Sequence, residues 1–271
     1  MFTLDCDRAY LHAHPERELT EDESRRYEEA LARRATGVPA QYITGHQEFW
    51  GMDLIVSPAV LIPRPETEHV VETVLKLMGK RTVLEKQRTG MPAPHDPREG
   101  LKIVDVGTGS GAIALTLARE LPLAEIYATD ISAQALEVAR ANAARHDMSS
   151  RIQFHEADLL TGLPQGAFDF VVSNPPYVGS FEEDEVQLEV RKFEPRDAVF
   201  AGPTGLEVIE RLIPQAWETL RRGGWLIFEI SGTIVEEVRR LLTGWDDVAI
   251  TSDLQGIPRV ARARKTGDGE S

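Results

Sequence analysis

From Leu101 onward, short apolar runs alternate with longer amphipathic stretches. The runs KIVDV (102–106), EIYATD (125–130), IQFHEAD (152–158), FDFVVS (168–173) and GGWLIFEI (223–230) have strand length and are rich in β-branched and aromatic residues. Between them, GTGSGAIALTLARE (107–120) passes from glycines into a helical period, and SAQALEVARANAARHD (132–147) is a helix capped by Ser132. Thr204 and Glu207 have the spacing of a capping box, opening a helix that reaches Arg222, and TIVEEVRRLL (233–242) supplies another helix. Strands alternating with helices predict a parallel sheet covered on both faces, because parallel neighbours need crossover connections. DVAITSDL (247–254) and RVARARK (259–265) are separated only by Gln255 to Pro258, so they pair antiparallel at the end of the sheet. The expected fold class is α/β: a doubly wound, mostly parallel seven-stranded sheet with an antiparallel C-terminal hairpin.

The preceding residues follow other patterns. Thr20 and Glu23 form a capping box ahead of a helix whose Tyr27, Ala30 and Leu31 share a face, and Gly37 ends it. In HQEFWGMDLIVSPAVLIP (46–63), Gly51 separates two apolar stretches as in a hairpin. Pro65, Glu66 and Glu68 open a helix that carries Val70, Val71, Val74 and Leu77 at helical spacing. The expected division is a small helical N-terminal domain over 1–44, a β-hairpin connector over 45–64 and the α/β domain over 65–271. A mobile loop is expected near 85–100, where Pro and Gly cluster in a polar context.

Composition narrows the function classes. No apolar run approaches the ~20 residues that span a bilayer, and Asp5 and Asp7 stand where a signal peptide would be apolar. A cytoplasmic, monomeric protein without membrane association is expected. Cys6 is the single cysteine, which excludes an internal disulfide and a multi-cysteine zinc site. His12 and His14 read as a solvated helix face, so no metal is expected. With 30 basic against 44 acidic residues and a net charge of −14, tight sequence-independent binding to a phosphate backbone is disfavoured, and no stable nucleic-acid partner is expected.

In a doubly wound sheet, ligands bind beyond the carboxyl ends of the strands, and three features fall there. Gly107-Thr108-Gly109-Ser110-Gly111 lets the backbone approach a ligand closely and leads into a helix N-terminus. With Ala112 it satisfies G-x-G-x-x-A, so a dinucleotide fits it as well as another adenosine ligand. Asp130 ends the second strand, where a carboxylate can accept from both hydroxyls of a ribose; helix capping is its alternative role. Asp158, with Leu159 beside it, could hold an adenine amino group and cover its ring, or could be a surface aspartate. Asp105, within the first strand, could orient the glycine loop, meet a cationic ligand, or be a buried aspartate bonded to backbone.

The third feature is Asn174-Pro175-Pro176-Tyr177, directly after FDFVVS. The prolines supply no N–H and fix φ, leaving carbonyls as outward acceptors on a rigid frame. Asn174 adds a side-chain carbonyl. Two adjacent acceptors match the two hydrogens of a planar –NH2 group, and Tyr177 offers a ring to stack on it. A stiff loop ending a strand is the plainer reading, but it gives no reason for Asn and Tyr at these places.

DVGTGSG, the acid of ATD, and SNPPY after the fourth strand resemble class I methyltransferases that methylate amino or amide nitrogens with S-adenosyl-L-methionine. GVPAQYITGHQEFWG, VSPAVLIPRPETE, VRKFEPRDAVFAGPTGLEVI and DLQGIPRVARAR extend this to a resemblance to the peptide chain release factor glutamine N5-methyltransferase family over roughly residues 37–263. That resemblance implies methylation of the glutamine in the Gly-Gly-Gln loop of class 1 release factors, and a helical domain, hairpin connector and methyltransferase domain in that order. It implies that Gly107 to Gly111 wrap the methionine part of the cofactor, Asp130 meets its ribose and Leu159 lies beside its adenine. Asn174 to Tyr177 would hold the substrate glutamine amide, with Arg64 or Glu66 helping to close the site. Only about 36 residues precede Gly37, fewer than the family usually carries, so the expectation is that either part of the docking surface is absent or the start is misassigned. The alternatives are a methyltransferase acting on the exocyclic amines of DNA or RNA bases, and a non-catalytic nucleotide-binding protein.

Overall fold

The structure is a computed structural model and describes residue 4, residues 6–89 and residues 100–267. The N-terminal helices are α1 (Arg8–Ala13), α2 (Glu21–Ala35) and α3 (Ala40–Thr44). The capping box at α2 forms: Glu23 N donates to Thr20 Oγ1 at 3.2 Å and Thr20 N donates to Glu23 Oε2 at 2.9 Å. Gly45, left-handed at φ 78°, turns the chain into an antiparallel hairpin of β1 (His46–Phe49) and β2 (Met52–Ile55). A 3₁₀ turn at Pro65–Thr67 then leads into α4 (Glu68–Thr89), which buries Val70, Val71, Val74 and Leu77. This corrects the start of the loop expected near 85–100. Residues 85–89, Glu-Lys-Gln-Arg-Thr, contain no breaker and continue the helix; residues 90–99 lie outside the described residues.

The α/β part runs β3 (Lys102–Val106), α5 (Ala112–Glu120), β4 (Glu125–Asp130), α6 (Ala133–Arg145), β5 (Ile152–Glu156) and β6 (Phe168–Ser173). It continues through β7 (Val178–Gly179), α7 (Leu188–Phe193), α8 (Arg196–Val199), β8 (Phe200–Gly202) and α9 (Glu207–Thr219). Last come β9 (Leu220–Glu229), α10 (Val235–Leu241), β10 (Asp246–Ser252) and β11 (Pro258–Arg264). The large sheet has seven strands in the order β10-β11-β9-β6-β3-β4-β5, parallel except where β11 pairs antiparallel with β9 and β10. The expected fold class therefore stands.

Burial follows the two-residue period of the strands. Ile103 and Phe170 pack on one face with α4 and α5, while Val104 and Val171 pack on the other with α9 and α10. All six residues of β6 are buried, as a central parallel strand requires. The chain moves outward from β3 to β5 and then returns to β6 on the other side of β3, which opens a crevice at the carboxyl ends of these strands.

Two sequence expectations change near β9. The helix that opens at Glu207 ends at Thr219, not Arg222, because Leu220 is already extended and paired with Phe168. The capping box at its start is half formed. Glu207 Oε1 accepts from Thr204 N at 2.7 Å, but Thr204 Oγ1 accepts from Leu206 N at 3.3 Å and leaves the Glu207 amide alone.

One side chain joins the hairpin to the crevice. Asn142 of α6, fully buried, accepts from Ile55 N at 2.6 Å and donates at 2.9 Å to both the Ile55 and Ser110 carbonyls. It stitches β2 to the glycine loop. Asn142→Ala leaves three backbone groups without that partner, one on buried Ser110 and two on partly buried Ile55, so the cost should be about 3 kcal/mol. Urea unfolding checks this: the midpoint should fall with little change in slope, and an unchanged midpoint would mean that the stitch is dispensable.

Candidate active site

The crevice holds a cavity of about 500 Å³. Its floor is the glycine loop between β3 and α5. Gly107 and Gly109 are left-handed at φ 68° and 56°, and a Cβ on either would meet no atom within 4 Å. Both glycines line the cavity, as do Thr108 and Ser110. Gly111 does something else. At φ 84° it is the N-cap of α5, and a Cβ there would lie 2.4 Å from Leu115 Cδ1 and 3.3 Å from Ala139 Cβ. It is absent from the lining and lets α5 pack closely on α6.

Asp130 sits in the cavity wall with both carboxylate oxygens engaged by backbone. Oδ2 accepts from Gly109 N and Oδ1 from Ser132 N, each at 2.9 Å. It thus ties the glycine loop to the end of β4 and retains lone pairs for a ligand. Ser132, not Asp130, caps α6, accepting from Ala135 N at 3.2 Å. Burial pushes the Asp130 carboxyl above its ordinary range, against the backbone bonds that lower it.

Asp105 lies outside the cavity lining, 1% exposed. Its Oδ2 accepts from Thr108 Oγ1 at 2.6 Å and from Ala114 N at 3.1 Å, so it braces the loop, while its buried Oδ1 has no partner among the described residues. Burial pushes its pKa up to about 7. Asp158 and Leu159 line the cavity, Leu159 in a left-handed conformation at φ 55°. Asp158 pairs with Arg211 of α9, both side chains about half exposed, a pairing that contributes little energy.

Asn174 and Pro176 line the cavity; Pro175, buried, and Tyr177, partly buried, do not. The Pro175 carbonyl accepts none of the loop hydrogen bonds among the described residues. Gly205 allows the turn before α9 to approach this segment: a Cβ there would lie 2.6 Å from the Tyr177 carbonyl oxygen. Asn174 Nδ2 donates to Thr67 Oγ1 at 3.0 Å, Thr67 Oγ1 donates to Glu229 Oε2 at 2.6 Å, and the Tyr177 hydroxyl donates to Glu229 Oε1 at 2.9 Å. Glu229 is 2% exposed, and burial pushes its carboxyl above the usual range. Burial likewise raises the Tyr177 hydroxyl, and the Glu229 carboxylate adds to the rise.

Thr67 and Glu229 were not among the residues singled out in the sequence. Thr67 lies beside Glu66 in the segment expected to approach the site; Glu229 is a charge enclosed in the apolar run WLIFEI. Glu66 and Arg64 take other partners. Glu66 Oε1 stands 3.7 Å from Arg259, and Arg64 pairs with the buried Glu194, which also accepts from Ile62 N at 3.1 Å. That pairing fixes the connector against the segment after α7, whose Pro195, Ala198 and Phe200 complete the cavity wall. Among the described residues no group of three or more His, Cys, Asp or Glu side chains could hold a metal ion, and no helix is long and apolar enough to cross a membrane.

Asp105 binds its proton more tightly in the folded than in the unfolded chain, so its contribution is intact below the ordinary carboxylate pKa and is lost as pH rises to about 7. Asp105→Asn removes this dependence. Between pH 4 and 8, thermal unfolding of the variant should gain on the wild type by on the order of 2 to 4 kcal/mol; a constant difference would rule out the raised pKa. Gly111→Ala should cost about 2 kcal/mol, from a left-handed backbone and the Leu115 and Ala139 contacts, seen as a lowered denaturation midpoint.

The family model described as Methyltransferase small domain matches residues 92–191, and the one described as PrmC N-terminal domain matches residues 1–45. Among solved structures, a methyltransferase from Pyrococcus furiosus superposes with a TM-score of 0.54 at 18% identity, covering 90% of this chain and 100% of that one. The hMettl16 catalytic domain, solved in complex with a 3'UTR hairpin, gives 0.59 at 17% identity, covering 89% and 82%. At these identities the likeness is one of fold. The sequence relatives are nearer. The release factor glutamine methyltransferase of Koribacter versatilis is 52% identical over 98% of this chain and 88% of its own length. That of Chlorobaculum tepidum is 41% identical over 94% and 84%. With half of its residues identical to such a relative along nearly its whole length, the chain belongs to the release factor glutamine methyltransferase family.

Proposed function

We propose that this chain transfers a methyl group from S-adenosyl-L-methionine to the side-chain amide nitrogen of the glutamine in the Gly-Gly-Gln loop of class 1 release factors, with Asn174 and Pro175 as the acceptors that hold the amide. The observation that carries the residue assignment is the tether on Asn174. Its nitrogen is engaged by Thr67, and its carbonyl oxygen receives no hydrogen bond from any described residue, at the edge of the cavity. A partner that works in translation supports the expectation of a cytoplasmic enzyme.

The cavity fits the cofactor. Open space over Gly107 and Gly109 is a cradle that Cβ atoms would fill, and Asp130 keeps lone pairs for ribose hydroxyls. Leu159 supplies an apolar surface for an adenine. Bound there, S-adenosyl-L-methionine supplies an electrophilic methyl group and leaves as S-adenosyl-L-homocysteine. Asp105 acts indirectly, bracing the loop through Thr108 and Ala114.

An amide nitrogen is a poor nucleophile because its lone pair is delocalised into the carbonyl. Asn174 Oδ1 takes one amide hydrogen and the Pro175 carbonyl the other, which returns electron density to nitrogen and fixes the direction of its lone pair. Both acceptors are rigid, Pro175 through its ring and Asn174 through its bond to Thr67, so little reorganisation accompanies the reaction. Tyr177, outside the cavity lining, is held by its hydroxyl on Glu229 and so anchors the far end of the loop that carries both acceptors. As the N–C bond forms and the methyl–sulfur bond breaks, the nitrogen becomes acidic and its proton passes to water.

The decisive experiment incubates the protein with labelled S-adenosyl-L-methionine and a class 1 release factor, its Gln→Ala loop variant, or DNA. Label should appear on the intact release factor alone; label on DNA and none on the release factor would overturn the assignment. Asn174→Ala should lower kcat by about 10²- to 10³-fold, while calorimetry finds S-adenosyl-L-methionine affinity nearly unchanged.

A further inference from the structure

Thr67 and Glu229 are buried beside the amide-holding loop, and the reaction as described uses them only as anchors for Asn174 and Tyr177. Their chemistry constrains Asn174. An ionised carboxylate only accepts, so Thr67, at 2.6 Å from Glu229 Oε2, spends its single hydroxyl proton there. Thr67 Oγ1 can then only accept from Asn174, and the atom 3.0 Å away has to be Nδ2. A planar amide fixed by its nitrogen presents its oxygen on the other side. The Tyr177 hydroxyl donates to the second oxygen, Oε1, at 2.9 Å, so both ends of the carboxylate are taken.

We propose that Glu229 and Thr67 are positioning residues: the ionised carboxylate sets the direction of the hydrogen-bond chain from Glu229 through Thr67 to Asn174, and so holds the Asn174 carbonyl oxygen toward the substrate amide. This deepens the functional reading above and takes the identity of the substrate from it. A flipped Asn174 has the same shape and the opposite polarity, setting an –NH2 donor against the –NH2 of the glutamine. The carboxylate is what excludes the flip. Protonated, Glu229 can donate to Thr67, whose hydroxyl then turns to donate to Asn174 Oδ1, and the amide reverses.

The groups facing Glu229 set where this happens. Burial raises its pKa, the Thr67 and Tyr177 hydrogen bonds lower it, Glu66 from the 3₁₀ turn raises it, and Arg259 of β11, itself paired with Asp253 at 2.8 Å, lowers it. The net shift is upward, so the wild-type rate should fall on the acid side of an ionisation above the ordinary carboxylate range.

Thr67→Val, Thr67→Ser and Glu229→Gln test the chain, with calorimetry of S-adenosyl-L-methionine binding to establish that each folds. Thr67→Val and Glu229→Gln should each lower kcat by about 10²-fold without a matching loss of cofactor affinity, and Thr67→Ser should restore most of the rate. The acid limb of the wild-type kcat profile should vanish in Glu229→Gln, which cannot titrate; a purely structural role would lower the rate and leave the limb. A second readout uses no substrate. Hydrogen exchange of the Asn174 side-chain amide, assigned by its absence in Asn174→Ala, should be slow in the wild type and fast in Thr67→Val. Wild-type kcat in both Thr67→Val and Glu229→Gln, an acid limb that survives in Glu229→Gln, or equal exchange in wild type and Thr67→Val would overturn the proposal. A wild-type protein that leaves release factors unlabelled would overturn the functional reading instead, and the exchange measurement would still decide the chain.

Discussion

A carboxylate carried to the end of a central strand, away from water, has to find donors, and Glu229 finds them on two segments far from β9 in sequence. Thr67 comes from the turn that enters α4, and Tyr177 from the loop that leaves β6. Leaving a buried charge unpaired would cost several kcal/mol, so the three segments hold one another in register. The loop from Asn174 to Tyr177 inherits its position from this junction: Asn174 is tethered to Thr67, and Tyr177 to the carboxylate itself. The two prolines between them contribute no donors, so the loop is fixed from both ends by side chains and stiffened in the middle by its covalent geometry.

The cofactor side is built on a different plan. Its rigidity comes from backbone bonds to a few side chains rather than from a buried charge shared between segments. Asp130 takes one N–H from the glycine loop and one from the start of α6; Asp105 braces the same loop from below through Thr108 and Ala114; Asn142 takes the Ser110 carbonyl and joins it to β2. The glycines then divide the work. Gly107 and Gly109 leave space open toward the cavity, whereas Gly111 removes a side chain that would separate α5 from α6. The G-x-G-x-x-A pattern does not reveal this division, because Gly111 falls at one of its unspecified positions, between Gly109 and Ala112.

The fold was legible because burial on both faces of a parallel sheet writes continuous apolar runs, and β3, β4, β6 and β9 are such runs separated by amphipathic helices. The strand ends therefore identified Asp130, Asp158 and Asn174 as residues of one crevice before any distance was known. Thr67, Glu229 and Asn142 were not found, for one reason. Each acts through a partner 87 to 162 residues away, and periodicity carries no record of such pairings. Glu229 left a trace, an acid between Phe228 and Ile230 in a run that had no other reason to hold a charge. The helix end near Thr219 was misread because Leu220 to Arg222 have ordinary helix propensity, and the pairing of Leu220 with Phe168 overrides it.

The geometry around Glu229 also bears on what kind of catalyst this is. A buried carboxylate with a raised pKa, linked through Thr67 to Asn174, has the credentials of a general base. Its contacts argue otherwise. Both oxygens are occupied by hydroxyl donors, Thr67 stands between it and Asn174, and it lies outside the cavity lining. A base at this position would have to abandon one of the bonds that keep the loop in place. Methylation of an amide makes a base unnecessary at the bond-forming step, since the nitrogen becomes acidic only as its new bond forms, and a proton held by a weak acceptor can then leave to water. What the nitrogen lacks beforehand is electron density in a defined direction, and fixed acceptors supply that without taking a proton. In the proposed mechanism the buried charge therefore serves the chemistry by orienting dipoles rather than by moving protons, a service that needs no contact with the substrate.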